Sequence, residues 1–241
     1  MVDIHCHILP GIDDGSDTWN TTAKMCQMAV RDGITHIVAT PHCDGHYEYD
    51  RAHLTDMLAT LSEVAEARLT FSIGCDFHMS PGNIEAAMND PRQFAIGDTQ
   101  YMMVEFDHHS IPQNAGDLLM QLLSRGMVPV ITHPERNGFL MQHLDTVQKF
   151  VEMGCLSQIT ANALTGFWGP KSQKAAEKLL QKHLVHVVAS DAHDLHLRPP
   201  VLSEARAKVV ELTGEDVAEA LFTTNPTAVV TGRSVPPVPG R

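Results

Sequence analysis

Positive charge is scarce in this chain. Lys and Arg together number 17 against 29 Asp and Glu, a formal charge of −12 over 241 residues, so the counterion-release attraction behind non-specific binding of nucleic acid or anionic lipid is missing. No nucleic-acid partner is expected. No window approaches the roughly 20 apolar residues of a membrane span, and the opening Met1-Val2-Asp3-Ile4-His5 has no basic segment leading into an apolar one. The expectation is a cytoplasmic protein without membrane insertion. The five cysteines (Cys6, Cys26, Cys43, Cys75, Cys155) are odd in number and never spaced C-x-x-C, which argues against a disulfide framework and a zinc knuckle. Six residues beyond them stand Ile12, Asp32, Tyr49, Pro81 and Ala161, none of them the Arg a cysteine-dependent phosphatase needs. Neither a G-x-x-x-x-G-K-[ST] phosphate loop nor a G-x-S-x-G nucleophile elbow occurs.

Histidine, by contrast, is plentiful: 15 residues, nearly as many as all Lys and Arg, and imidazole is the commonest metal ligand among side chains. Short apolar, β-branched runs recur at Val2–His5, Thr35–Thr40, Thr70–Gly74, Tyr101–Val104, Val128–Thr132, Cys155–Thr160 and Val185–Ala189. They read as seven strands. The polar residues at or just after their ends, His5, His42, Asp76, Glu105, His133, Asn162 and Asp191, are 28 to 37 residues apart, the length of a βα unit. Helical marks fill the gaps: 18–32 stops at Gly33, 50–68 carries apolar residues three and four apart, 116–125 stops at Gly126, 144–153 stops at Gly154, and 170–182 opens on Pro170. With 43% hydrophobic residues and no break in composition, the pattern predicts one α/β domain over 1–241. The expected architecture is a distorted TIM-like (β/α)7 barrel, with the Pro-rich stretch 234–241 as a loose tail.

Parallel barrels build their sites at the C-terminal strand ends, and there this sequence repeatedly places ligand-type residues. His5 and His7 alternate so that both face the barrel mouth while Cys6 turns away. His42, Asp76, Glu105, His133, Asp191 and His193 stand at equivalent positions. Several carboxylates converging without counter-charge would be driven toward protonation, whereas divalent cations neutralise them. The mixture of imidazole and carboxylate suits Mn, Fe or Zn better than Mg or Ca.

The residues that carry these features resemble the polymerase and histidinol phosphatase (PHP) family, and within it the bacterial metal-dependent protein-tyrosine phosphatases of capsule and exopolysaccharide synthesis. The likeness runs through Asp-Ile-His-Cys-His-Ile-Leu-Pro-Gly-Ile-Asp-Asp-Gly (3–15), Ala-Thr-Pro-His (39–42), Thr-His-Pro-Glu-Arg (132–136) and Ser-Asp-Ala-His (190–193). It implies the PHP fold and three divalent ions, with manganese foremost. One ion would be held by His5, His7, Asp76 and Asp191, a second by Asp76, Glu105 and His133, and a third by Asp14, His42 and His193. Asp14 is chosen over Asp13 on spacing. The bridging carboxylate is usually Glu in the family, and Asp76 is one methylene shorter. Arg136 and Arg198, on barrel-mouth loops, are the expected phosphate clamps, since a planar guanidinium matches phosphate oxygens bidentately.

The reaction expected from this set is hydrolysis of a phosphomonoester by a metal-held hydroxide. The substrate implied by the resemblance is the phosphotyrosine-bearing tail of a bacterial tyrosine kinase controlling polysaccharide export. Competing readings keep the site but act on a small phosphate such as histidinol phosphate, or hold metal without catalysis. An amidohydrolase-type barrel fits less well, because its central strands usually end in further metal histidines and often a lysine. The ten other histidines read as surface or half-buried residues, with His46 and His108 placed where they could protonate a leaving group. The cysteines and the 12 methionines read as packing.

Overall fold

The seven apolar runs all become parallel strands in the structure, a computed structural model that describes residues 1–240. The chain begins with β1 (Val2–Cys6), α1 (Trp19–Asp32), β2 (His36–Ala39), β3 (His42–Cys43) and α2 (Arg51–Val64). It continues with β4 (Thr70–Ile73), β5 (Asp76–His78), α3 (Pro81–Asn89), a 3-10 turn (Pro91–Phe94), β6 (Tyr101–Glu105) and α4 (Ala115–Ser124). Then come β7 (Val128–Thr132), α5 (Leu144–Glu152), β8 (Leu156–Thr160), α6 (Ala161–Leu164), α7 (Gly169–Gln181) and β9 (Val187–Ala189). Three helices, α8 (Ser203–Thr213), α9 (Glu215–Glu219) and α10 (Asn225–Val230), finish it, the last two joined by a π-helical stretch (Ala220–Thr224).

Hydrogen-bonded neighbours run β1-β2-β4 in one sheet and β3-β5-β6-β7-β8-β9 in another. β2 and β3 are halves of one stave, interrupted at Thr40-Pro41, where proline has no N–H for the ladder. β4 and β5 are halves of a second stave, interrupted at Gly74-Cys75. A Cβ on Gly74 would sit 2.9 Å from Val38 Cγ1 and 3.1 Å from Thr40 Cγ2, so the staves can approach this closely only at glycine. The ring closes where Cys6 bridges Ala192, with the His7 N–H donating to Ala192 O and the Asp191 N–H to His5 O, each at 2.8 Å. This is the α/β, seven-staved barrel the sequence predicts, and the two interrupted staves are its distortion.

Strand alternation then sorts the side chains. Tyr101 and Met103 share a face with Glu105, and Val187 and Ala189 share one with Asp191. These apolar residues join Val2, Ile4, Val38, Val130 and Leu156 in a cluster separate from the larger core packed with the helices. The interior is therefore apolar below and polar at the C-terminal rim.

Thr18 caps α1 by accepting from the Thr21 N–H at 3.2 Å, and Gly33 ends it in left-handed backbone (φ 88°). α2 stops at Val64 and not at Arg68, because Glu66 and Ala67 turn left-handed (φ 54° and 52°) to enter β4. The helices after β9 were not expected. α8 buries only Ala205 and Val209, too thin a stripe to show as periodicity. The π-helical stretch and α10 pack against β1 and β9. The stretch expected to be a loose tail, 234–241, has no helix or strand as far as Gly240, and Arg241 lies outside the described residues. Val235 nevertheless packs on the interior cluster and Val238 is buried in the larger core. Among the described residues no helix is long and apolar enough to cross a membrane.

Candidate metal centre

The polar rim gathers side chains from six of the seven staves. Four groups have ligand atoms within 4.8 Å of one another: His7, Asp14, His42 and His193; His5, His7 and Asp76; His5, His133 and Asp191; and His42, Asp76 and Glu105. All nine residues picked as ligands from the sequence are there, and the groups contain no others. The groups overlap, sharing His5, His7, His42 and Asp76. His133 sits with His5 and Asp191, although its Nε2 is also 3.6 Å from Glu105 Oε1, and His42 reaches Asp76 Oδ2 (3.3 Å) through Nδ1 and Asp14 Oδ1 (3.4 Å) through Nε2.

The imidazoles are held by their far nitrogens. His5 Nδ1 donates to Gln158 Oε1 (3.0 Å), His7 Nδ1 to Asp13 Oδ2 (2.6 Å) and His193 Nδ1 to the Asp191 carbonyl (3.0 Å), leaving each Nε2 turned inward. Asp13 and Asp14 are thereby told apart. Asp13 orients His7 and also accepts the His42 N–H at 3.0 Å, while Asp14 Oδ1 faces His42 and His193 at 3.4 and 3.3 Å. Gly15 completes the Asp-Asp-Gly run for a steric reason: a Cβ there would fall 2.2 Å from the His7 carbonyl oxygen. At the ends of β7 and β9, His133 and Asp191 adopt left-handed backbone (φ 32° and 53°), unusual for residues other than glycine.

The electrostatics match the geometry. Burial alone would lower His5, but Asp76 and Asp191 raise it to about 9. Burial likewise opposes protonation of His42, yet Asp14 and Asp76 push it up to about 12. Burial and the neighbouring Asp76 raise Glu105. Protons on imidazole are thus doing what cations do when bound. Burial, followed by the Arg136 charge, holds His133 well below its ordinary range, and burial with His7 lowers His193 to about 4, which leaves both with free lone pairs at neutral pH. Both Asp76 oxygens, His42 Nδ1 and His193 Nε2 are buried without a hydrogen-bond partner. A fully buried carboxylate in that state is costly unless a cation joins it. The donor set fits divalent metal.

Above it opens a cavity of about 870 Å³, with Asp14, His42, Glu105, His133 and Asp191 facing it from the rim and Arg136, Arg198, Trp168 and Lys171 among its walls. Arg136 Nη1 and Arg198 Nη2 both donate to Asp191 Oδ2, the latter at 2.7 Å. The loop presenting Arg198 is tied by Asp194, which accepts the N–H groups of His196 and Leu197 at 2.6 Å and of Arg198 at 3.3 Å. Of the two histidines singled out as proton donors, His108 lines the cavity and His46 lies outside the lining. His78, read as a bland residue, also lines it, with Nδ1 3.8 Å from Glu105 Oε2. Gln158, Asp194 and Trp168 were missed; only Gln158, in phase with the inward residues of its strand, left a signal. All five cysteines are free and buried, in keeping with packing.

A family model described as "Capsular polysaccharide synthesis, CpsB/CapC" matches residues 1–231. A putative tyrosine-protein phosphatase, CapC of Staphylococcus aureus, is 35% identical over 208 residues, 85% of this chain and 81% of the relative. The tyrosine-protein phosphatase YwqE of Bacillus subtilis (strain 168) is 34% identical over 206 residues, covering 82% and 79%. A crystal structure from the pair YwqE of Bacillus subtilis and CpsB of Streptococcus pneumoniae, described as metal-dependent tyrosine phosphatases, superposes over 100% of both chains with a TM-score of 0.91 and 32% identity.

Proposed function

The chain belongs to the CpsB/CapC family of capsular polysaccharide synthesis, and from that premise we propose that it dephosphorylates the tyrosine-rich tail of a bacterial tyrosine kinase of polysaccharide export. It is a metal-dependent tyrosine-protein phosphatase, and its substrate is a phosphoprotein. The observation that carries the site assignment is the convergence of nine ligand-type side chains, with fully buried Asp76 3.3 to 3.4 Å from the His42 and His5 rings among them, beneath two arginines at a cavity mouth.

His5, His7, Asp76 and Asp191 would hold one ion, Asp76, Glu105 and His133 a second, and Asp14, His42 and His193 a third, with manganese the first candidate. His7 and His42 each stand between two groups. When bound, divalent ions supply charge neutralisation for a phosphoryl group and make water acidic enough to act as a nucleophile near neutral pH. The remaining work falls to the chain. Gln158 and Asp13 fix the rings of His5 and His7. Arg136 and Arg198 turn their planar forks to the phosphoryl oxygens and orient the ester for in-line attack. The tyrosine phenolate, with an intrinsic pKa of about 10, leaves with little protonation, and the open cavity admits a protein tail.

The test is competitive turnover of a phosphotyrosine peptide and histidinol phosphate by metal-reconstituted protein, with the metal counted per chain after purification free of chelator. The peptide is hydrolysed faster and the count exceeds one. Preference for histidinol phosphate would remove the protein-tail substrate.

A further inference from the structure

Trp168 belongs to none of the ligand groups, yet it touches both phosphate-clamp candidates. Arg136 Cζ lies 4.0 Å from the centre of its ring and Arg198 Cζ lies 5.5 Å from it. The two arginines arrive on different loops, after β7 and after β9, and converge on one carboxylate oxygen with side chains only 11% and 18% exposed. Like charges brought together away from water repel, and an aromatic face, negative by its quadrupole, offsets that repulsion. The indole is itself fixed in place. Its Nε1–H donates to Asn162 Oδ1 at 2.7 Å, and Phe167 meets it edge-on at 5.1 Å between ring centres. Gly166 and Gly169, both in left-handed backbone (φ 91° and 82°), turn the chain sharply on either side.

We propose that Trp168 is a positioning residue: an aromatic shelf, anchored by Asn162, that holds the Arg136 and Arg198 guanidiniums converged for the phosphoryl group of the substrate. The inference rests on reading the arginines as phosphate ligands. Without the shelf each long side chain regains its rotamer freedom, and part of the binding energy is spent on ordering it again. The loss appears in phosphate binding and leaves the metal ligands untouched.

The experiment uses metal-loaded full-length protein and four variants: Trp168→Leu, Trp168→Phe, Asn162→Ala and Arg136→Ala. Each is read by competitive inhibition with inorganic phosphate, by KM and kcat on a phosphotyrosine peptide, and by metal content. Trp168→Leu keeps an apolar filling without the π face and weakens phosphate inhibition by roughly 5- to 30-fold, the range that partly desolvated cation–π contacts support. KM rises in step while metal content stays at the parent value. Trp168→Phe restores inhibition to within about threefold of the parent, because the ring face returns. Asn162→Ala loosens the indole without removing it and shifts inhibition in the same direction by a smaller factor. If Arg136→Ala weakens phosphate inhibition while Trp168→Leu and Asn162→Ala leave it at the parent value, the shelf is refuted and the arginine reading stands. Equal damage from Leu and Phe refutes it too, since space-filling then explains the effect. Where Trp168→Leu does not fold, the pair Trp168→Phe and Asn162→Ala decides: no change in Asn162→Ala overturns the shelf. Should phosphate inhibition be indifferent to Arg136→Ala, the arginine reading fails and takes the shelf with it.

Discussion

Arg198 Nη2 lies 2.7 Å from Asp191 Oδ2, while the other oxygen of that carboxylate lies 3.3 Å from His5 Nε2 and 3.4 Å from His7 Nε2. One side chain therefore faces the imidazoles with one oxygen and the guanidiniums with the other, so any displacement of Asp191 moves both halves of the site. Its left-handed backbone is held by a latch beneath it. Ser190 donates from N–H and from Oγ to the two oxygens of Asp3, at 3.0 and 2.5 Å, tying the end of β9 to β1. Barrel closure and site geometry are the same set of contacts.

Asp191→Asn preserves the shape of this junction and removes its charge. The arginines lose a buried charged acceptor and the imidazoles lose a ligand-type oxygen. Turnover is expected to fall by more than about 100-fold, beyond the loss typical of outer hydrogen-bond partners of a metal site, with reduced metal content by elemental analysis. His5→Ala behaves alike. A purified His5→Ala protein with full metal content and parental turnover would contradict the place given to His5.

Chelation should act on stability as well as on rate. Ions that bind only the folded chain add roughly 2.7 kcal/mol per site at about 100 times their dissociation constant, which for a domain of this size is roughly 5–10 °C of melting temperature for each site filled. Scanning calorimetry with and without chelator checks this, and restoring a divalent metal recovers both melting temperature and turnover. An unchanged melting temperature with lost activity would mean that the buried acids do not need the ions to fold.

Strand ends carrying His, Asp or Glu made the barrel and the gathering of these nine ligand-type side chains legible, and period-two alternation puts Glu105 in phase with Tyr101 and Met103; His5 and His133 are out of phase with the inward Ile4 and Val130, and there β1 shifts register and His133 takes left-handed backbone. β7 is found over Val128–Thr132 as read. The interrupted staves were not legible: the break at Gly74 depends on Val38 and Thr40, which approach from another strand. The distances among these side chains depend on how the ring closes, which no spacing encodes: His133 stands with His5 and Asp191 and also lies 3.6 Å from Glu105. Adjacent Asp13 and Asp14 differ in the rings they meet, Asp13 the His7 ring and Asp14 those of His42 and His193, and these contacts exist only in the closed barrel. Trp168 meets its two arginines from a third loop and so left no sequence signal at all.

Acid sensitivity has an identifiable contributor outside the site. His36 on β2 is held between Thr70 Oγ1 and Ser72 Oγ, each at 2.8 Å, and burial lowers its pKa below the ordinary value. Its unfolded form therefore binds a proton first, at about pH 6.5. Stability drains away as pH falls from there toward the folded value, by no more than about 1.4 kcal/mol per pH unit for one proton. His36→Gln is expected to flatten the fall of melting temperature between about pH 7 and pH 5. Parallel curves for the two proteins would assign the acid sensitivity elsewhere.

Gly15→Ala is the sharpest test of why the Asp-Asp-Gly run has its form. A Cβ at this position would lie 2.2 Å from the His7 carbonyl oxygen and 2.5 Å from His7 Cβ, and neither is the far end of a flexible chain that could swing aside. The loop itself must move. Asp13 accepts the Gly15 N–H at 3.0 Å and the His7 ring at 2.6 Å, so the displacement passes directly to the His7 imidazole and to Asp14 beside it. Overpacking of this kind costs about 1–3 kcal/mol, modest for a chain with so large a core. The effect on metal is larger, since losing the orienting partner of a metal-binding histidine lowers affinity by about 10- to 100-fold. The variant should therefore fold with a slightly lower melting temperature, show weak activity at micromolar metal, and recover as metal is raised. A melting temperature and a metal-activation curve both identical to the parent would show that the run tolerates a side chain and that the close approach of Gly15 to His7 is not required.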